Sequence, residues 1–240
     1  MMENIRFPDH HRLKAIFRRP PVLETERIIL RPVRKSDAGD LYCYACDAEV
    51  ARYVLWRKHD SIRDSREQIR CLLRQYRRGK PGSWAIEEKK SGKMIGTIGF
   101  MWVSPQNRSA ECGYSLSRAY WNRGLMTEAL TALIRFGFET LGLSRIEAQH
   151  DVQNPSSGRV MQKCGMTREG VLRGRVINKG VPADTAVYSI LSSEYDLQKH
   201  AARAQSPEQP AAEPADIRRK TAKSAAGRRR TPLRKRKVKN

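Results

Sequence analysis

Residues 120–141 read YWNRGLMTEALTALIRFGFETL, and this stretch decides how the rest of the chain is understood. It opens with aromatic and polar residues, narrows to Gly124, and becomes periodic. Leu130, Leu133, Ile134, Phe138 and Leu141 recur at helical spacing, which predicts an amphipathic helix. Strand-like residues 111–116 precede it and residues 145–152 follow it. The unit is strand, loop, helix, strand, with the loop at the helix N-terminus. Free backbone N–H groups and the helix dipole at such a point hold anions, phosphate in particular. An ordinary helix start with a small turn residue fits the same letters.

The chain has 240 residues with 47 Lys/Arg and 25 Asp/Glu, a formal charge of +22. That balance favours anionic surroundings: nucleic acid, a ribosome, a membrane surface or an anionic cofactor. No run approaches the roughly 18 apolar residues of a membrane-spanning helix. The cysteines are Cys43, Cys46, Cys71, Cys112 and Cys164. Cys43 and Cys46 form a lone C-x-x-C with no second pair to complete a zinc site, so no metal is expected. The odd cysteine count and the absence of a secretory signal lead us to expect a cytoplasmic protein.

Taken in order, residues 1–22 are basic and read as an arm or an added helix around Leu13 and Phe17. A strand is predicted over 28–33, with Ser36, Asp37 and Ala38 capping a helix over 40–46. A short helical piece follows from Asp47, then the apolar Tyr53, Val54, Leu55 and Trp56. Trp56 suits a residue closing the core or one lip of a substrate groove. A helix is predicted over 61–76, then strands over 83–87, 94–102 and 110–116 in an antiparallel meander. After the long helix come a strand over 145–152, a short helix from Ser156, and a strand pair at 167–172 and 186–191. From Ala201 the apolar period is lost and the composition is that of a disordered tail, with 13 Lys/Arg against three Asp/Glu. The domains read as a basic N-terminal arm over 1–22, a folded domain over 23–200 and a basic tail over 201–240.

Four blocks carry a resemblance: LETERIILRPVRKSDAGDLY, IGTIGF, RSAECGYSLSRAYWNRGLMTEAL and NPSSGRVMQKCGMTREGVLR. Their order and separations resemble the GCN5-related N-acetyltransferases, and within them the RimJ/RimL-like ribosomal-protein acetyltransferases. The likeness runs from about Leu23 to Leu197. It implies a single α/β (α+β) domain: a twisted mixed sheet of about six or seven strands, helices on both sides, and acetyl-CoA where two central strands splay. Those strands are 111–116 and 145–152. By the same likeness, Asn122, Arg123, Gly124, Leu125 and Met126 embrace the pyrophosphate, and backbone groups of Tyr114, Ser115 and Leu116 polarise the acetyl carbonyl. The family's Gln/Arg-x-x-Gly-x-Gly/Ala pattern falls on Trp121, Gly124 and Met126, of which only the glycine fits.

Acetyl transfer to an amine requires a neutral amine, a polarised carbonyl and a stabilised leaving thiolate. Glu111 suits a general base beside the acceptor, or a salt-bridged carboxylate. Asp151 is a second carboxylate near the splay. Ser157, which follows Asn-Pro as in the resembled branch, suits the proton donor to sulfur, or a second helix cap beside Ser156. Asn154 suits a contact to the cofactor's amide arm, or an Asx turn. The acceptor implied is a protein N-terminus, ribosomal proteins foremost, with residues 201–240 contacting ribosome or RNA. A small-amine or aminoglycoside acetyltransferase and a non-catalytic ribosome- or nucleic-acid-binding protein are the alternatives.

Overall fold

The computed structural model describes residues 7–205 of the chain, so residues 1–6 of the expected arm and residues 206–240 of the expected 201–240 tail lie outside the described residues. The helices are α1 (His10–Arg18), α2 (Ala38–Ala45), α3 (Ala48–Ala51), α4 (Ile62–Arg78), α5 (Leu125–Glu139), α6 (Pro155–Lys163) and α7 (Ser192–Gln205). The strands are β1 (Leu23–Glu24), β2 (Ile28–Arg31), β3 (Ser83–Glu88), β4 (Met94–Ser104), β5 (Ser109–Leu116), β6 (Arg145–Asp151), β7 (Thr167–Asn178) and β8 (Val181–Leu191). One eight-stranded sheet runs β1-β2-β3-β4-β5-β6-β8-β7. Every neighbour pair is antiparallel except β5 and β6, which are parallel. The sheet exceeds the expected count because the two-residue β1 pairs on the outer edge and one long hairpin closes the other side.

The expected helices and meander are present, with shifted ends. β7 and β8 are longer than the apolar pattern suggested, because β7 is an edge strand whose residues are mostly exposed and so carry little alternation. The N-terminal segment forms the added helix. Asp9 caps α1, and Leu13 and Phe17 enter the main core. Phe17, Phe100 and Phe136 surround Trp84 at ring separations of 5.7–6.5 Å, joining α1, β3, β4 and α5. The Trp84 indole donates to the Pro21 carbonyl at 2.8 Å. At the other end, α7 runs past Ala201, where the composition changes.

Alternation along the strands assigns the two sheet faces. Ile146 and Ala148 of β6 are buried under α5 and α6, whereas Arg145, Glu147, Gln149 and Asp151 face the opposite side. α5 lies close to β6 because a Cβ at Gly137 would come within 2.6 Å of Ile146 Cδ1. The second face is covered over β2–β4 by α2 and α4 through Leu41, Tyr44, Ile69 and Tyr76.

The block ILRPVRKSD folds around one charge. Arg31 is 4 % exposed and donates to Asp37 at 2.8 and 2.9 Å, and also to Glu87 on β3. Asp37 accepts the Arg34 N–H as well. The expected capping role of Ser36, Asp37 and Ala38 is thereby corrected. Asp37 precedes α2, but its carboxylate is turned back onto Arg31 and Arg34, through a 3-10 turn over Lys35–Asp37. Removing one partner of a buried pair strands the other charge. Asp37→Ala is expected to cost about 3 kcal/mol of unfolding free energy by urea titration. A loss under about 0.5 kcal/mol would show that Glu87 alone compensates Arg31.

Candidate functional site

The parallel pairing of β5 with β6 extends from Ser109–Arg145 to Cys112–Ala148 and then stops. Beyond it, Gly113–Leu116 pair only with β4, and Gln149–Asp151 pair only with β8. Alternate backbone groups of both arms therefore face a gap. At its vertex, Gln149 Nε2 of β6 donates to Glu111 Oε1 of β5 at 3.0 Å. Trp102 Nε1 donates to the other Glu111 oxygen at 2.8 Å. Trp102 reaches it because β4 carries a register shift between Phe100 and Trp102, which sets Trp102 opposite Glu111. The carboxylate is thus fixed in orientation with further lone pairs free.

The amide orientation of Gln149 is dictated by the carboxylate, which accepts only from the nitrogen. Gln149 Oε1 is consequently left buried and without a partner among the described residues. Sequence reasoning passed over Gln149. Its parity with Glu111 across a parallel pair was the signal that points to it.

The loop before α5 occupies the mouth of the gap. Asn122 and Gly124 are left-handed at φ of 59° and 76°, flanking Arg123. Turns of this kind aim successive N–H groups into an anion-binding concavity. The N–H groups of Asn122, Arg123, Gly124, Leu125 and Met126 have no acceptor among the described residues. Leu125 and Met126 bury their side chains in the core and present only backbone to the loop. Trp121 Nε1 donates to the Leu116 carbonyl at 2.8 Å, fastening the loop to the end of β5.

Arg27 braces the loop from behind, through the LETER block. Its guanidinium donates to the Arg123 carbonyl at 2.9 Å and to Glu128 at 2.7 Å. Thr25 Oγ1 and the Arg27 N–H also donate to Glu128. Burial works against the Glu128 charge, but these donors outweigh it and hold the carboxyl below the ordinary carboxylate range.

Across the gap, Asn154 precedes α6 and Pro155 opens it. Asn154 Nδ2 donates to Ser157 Oγ at 3.1 Å, and the Tyr114 hydroxyl donates to the Ser157 carbonyl at 3.1 Å. Tyr114 and Ser157 are thus brought together on the α6 face. Ser115 points to the other face, with its hydroxyl 3.1 Å from that of Thr97. Two expectations are corrected here. Ser156 is not the helix cap: its hydroxyl accepts from Arg159. The Asx turn lies at Asp151, whose carboxylate accepts the Gln153 N–H at 2.9 Å.

On the face opposite α6, two cavities follow one another along β6. One of about 350 Å³ is lined by Glu111, Glu147, Gln149 and Glu169, among others. One of about 400 Å³ is lined by Tyr53, Asp151, Asn178 and Asp184, among others. The tip of the β7–β8 hairpin is fastened there. Lys179 Nζ donates to the carbonyls of Ala51 and Val54 at 2.9 and 2.8 Å. Partial burial, then the nearby Arg57, hold its ammonium below the usual lysine range. Trp56 follows this anchored segment. It packs on the second core and against the His59 ring at 5.6 Å, and its described contacts include neither Glu111 nor Ser157. Among the described residues no group of His, Cys, Asp and Glu is placed to hold a metal ion, and no helix is long and apolar enough to cross a membrane.

A splayed parallel pair with an anion loop at its mouth matches what is known of one family. The sequence profile of the acetyltransferase (GNAT) domain matches residues 27–167. The chain belongs to the GNAT acetyltransferases. It is 36 % identical over 171 residues to the uncharacterized N-acetyltransferase YoaA of Bacillus subtilis, covering 71 % of this chain and 97 % of that one. It is 28 % identical over 152 residues to the ribosomal-protein-serine acetyltransferase of Escherichia coli, covering 62 % of this chain and 84 % of that one. Among solved structures, it resembles the microcin C7 self-immunity acetyltransferase MccE in complex with acetyl-CoA and AMP. The TM-score is 0.64 at 26 % identity, over 70 % of this chain and 93 % of that one. The protein is an acetyl-CoA-dependent acyltransferase, which sets aside the non-catalytic alternative.

The residues present fit the cofactor: unpaired N–H groups at a helix N-terminus suit its phosphates, and the gap between β5 and β6 offers strand-like hydrogen bonding to its amide arm. At Gly124, a side chain would meet both the positive φ and the Arg27 guanidinium, 3.4 Å from an added Cβ. Gly124→Val is therefore expected to weaken acetyl-CoA binding at least tenfold by calorimetry, with the chain still folded. Unchanged affinity in a folded variant would remove this loop from cofactor binding.

Proposed function

We propose that this GNAT enzyme acetylates the N-terminal α-amine of a protein, a ribosomal protein in the first place, in the manner of the RimJ/RimL-like enzymes. The observation that carries the reading is the succession of two cavities along β6, with the Glu111 carboxylate at one and the fastened hairpin tip at the other. An extended chain end suits such a trough better than a compact amine does. Likeness to a ribosomal-protein-serine acetyltransferase supports the same acceptor class. The cytoplasm is the matching compartment, and the basic segment 201–240 would add contacts to ribosome or RNA outside the 23–200 catalytic domain.

Acetyl-CoA supplies the acetyl group as a thioester. Asn122, Arg123, Gly124, Leu125 and Met126 hold its pyrophosphate through backbone N–H groups, and Asn154 helps fix its amide arm. Glu111, held by Trp102 and Gln149, takes the proton from the acceptor ammonium. The free Gln149 Oε1 orients the amine. Backbone N–H groups in Tyr114, Ser115 and Leu116 that face the gap polarise the acetyl carbonyl as the C–N bond forms. Because Asn154 donates to Ser157 Oγ, the serine's own proton would be free to go to the departing thiolate as the C–S bond breaks, and the proton shed by the acetylated nitrogen would return to the serine through solvent. Trp56, braced by His59, forms the outer lip for the acceptor.

A small amine is the second reading, favoured by the likeness to a self-immunity acetyltransferase. Mass spectrometry of products from Ala- and Ser-starting peptides, set against polyamines and aminoglycosides, separates the two. The peptides should be modified at the α-amine and turn over fastest. Faster acetylation of a polyamine or aminoglycoside would overturn the proposal. Glu111→Gln should lower kcat/KM by at least about 100-fold, with the deficit greatest at low pH, where the acceptor is most protonated. A pH–rate profile superimposable on the parent's would exclude the base role.

A further inference from the structure

We propose that the outer face of α4 is an RNA-binding ridge that contacts phosphate backbone. Arg63, Arg66, Arg70, Arg74, Arg77 and Arg78 are all exposed. At 3.6 residues per turn they fall within an arc of about 120° and extend over about 22 Å. Ile69 and Tyr76, on the opposite side, are buried in the second core, so the arginines point outward together. Successive members at i, i+3 and i+4 stand about 5–6 Å apart.

The ridge is under-neutralised. Glu67 is shared by Arg70 and Arg74, and Asp64 is spent on the helix cap with Ser61. Arg63, Arg66, Arg77 and Arg78 have no ion-pair partner among the described residues. Two cation pairs without counter-charge, Arg63 with Arg66 at one end of α4 and Arg77 with Arg78 at the other, repel within each pair, and an external polyanion lying along the helix relieves that repulsion while releasing its own counterions.

Three observations narrow the partner. The apolar side of α4 is already packed on the sheet, so the helix has nothing to insert into a lipid surface. None of the exposed large hydrophobic side chains lies on α4, so the face lacks the desolvated apolar centre of a protein interface. It also offers no aromatic ring for stacking bases, which leaves phosphate as the contact. The choice of RNA over DNA rests on the ribosomal acceptor proposed above; the phosphate ridge itself does not. This site lies within the folded domain and is separate from the basic tail.

The test uses the full chain with Arg63, Arg66, Arg77 and Arg78 replaced together by Gln, which leaves the Glu67 pairs and the Ser61 cap intact. A control of equal charge change replaces Lys35, Lys90, Lys93 and Arg173, all exposed, by Gln. Binding to a fluorescent RNA duplex is titrated across salt concentrations. The ridge variant should bind about tenfold or more weakly than parent and control at near-physiological salt, with a log K against log salt slope shallower by about 2–3. Its thermal midpoint and peptide acetylation should match the parent's. If the four-fold variant loses helicity, the pair R63Q/R66Q is read instead, with a slope change of about 1–2. Equal slopes in ridge variant and control overturn the proposal. So does tighter binding of the parent to a DNA duplex or to phosphatidylserine vesicles than to the RNA. Failure of the acceptor reading would show separately, as a different acetylated amine, without altering the titration.

Discussion

The molecule depends on two strands that begin as a parallel pair and then part. Four residue pairs hold β5 to β6, and past Cys112 and Ala148 each strand keeps only its outer neighbour. Unpaired strand edges inside a sheet are costly unless something else occupies them. Side chains hold the arms apart where the backbone no longer holds them together. Tyr114 reaches from β5 to the start of α6, while Glu111 and Gln149 close the vertex. The remaining backbone groups of the two arms face the gap without a strand partner, as a ligand with its own amides would require. In the proposed site, binding and sheet completion would be the same event, at the one parallel pairing among the described residues.

Much of this was legible in the letters. Gly124 between an aromatic loop and a periodic segment announced a helix N-terminus, and Asn154-Pro155 announced the next. Helix α5 was plain because ten of its residues are buried, so its period is strong. What escaped was set by pairings distant in sequence. Gln149 looked like any outward residue of an alternating strand, and its meaning comes from standing two residues past Glu147, the partner of Glu111 in the parallel register. Lys179 stands in the turn that joins β7 to β8, a polar position unremarkable in sequence, yet its ammonium satisfies carbonyls more than 120 positions away. The LETER block was recognisable as part of a family pattern, but its task, bracing the loop before α5, depends on a contact 101 residues distant. Ser156 and Asp37 misled for a related reason. Both have capping chemistry, and each found a stronger local partner in an arginine.

Charge is distributed with purpose on this strongly basic chain. Where arginines are buried or half-buried against the sheet, they are matched: Arg31 by Asp37 and Glu87, and Arg145 by Glu147 and Glu169. The Arg145 fork, with Ser189, pulls the Glu169 carboxyl down to about 2 and ties β7 across β8 to β6. The trough along β6 is lined by more carboxylates than arginines, whereas the outer face of α4 is under-neutralised. On the readings proposed above, a cationic amine and a polyanion would be directed to different surfaces by sign.

The most delicate placement is that of Glu128. A carboxylate in the first turn of α5 is favoured by the helix dipole and shares that favourable field with any other anion placed there. The unpaired N–H groups at this helix N-terminus are the ones that the proposed site offers to phosphate. Three donors from the β1–β2 connection draw the carboxylate sideways instead: the Thr25 hydroxyl, the Arg27 N–H and the Arg27 guanidinium. The same arginine then fixes the Arg123 carbonyl, so one side chain both removes the internal competitor and sets the loop's shape. Glu128 still supplies its favourable interaction with the dipole from that position, while its charge is matched by Arg27 and so repels a phosphate less. The first strands of the chain are far from the acetyl-transfer chemistry in sequence, but through this contact they keep the helix N-terminus free for an anion.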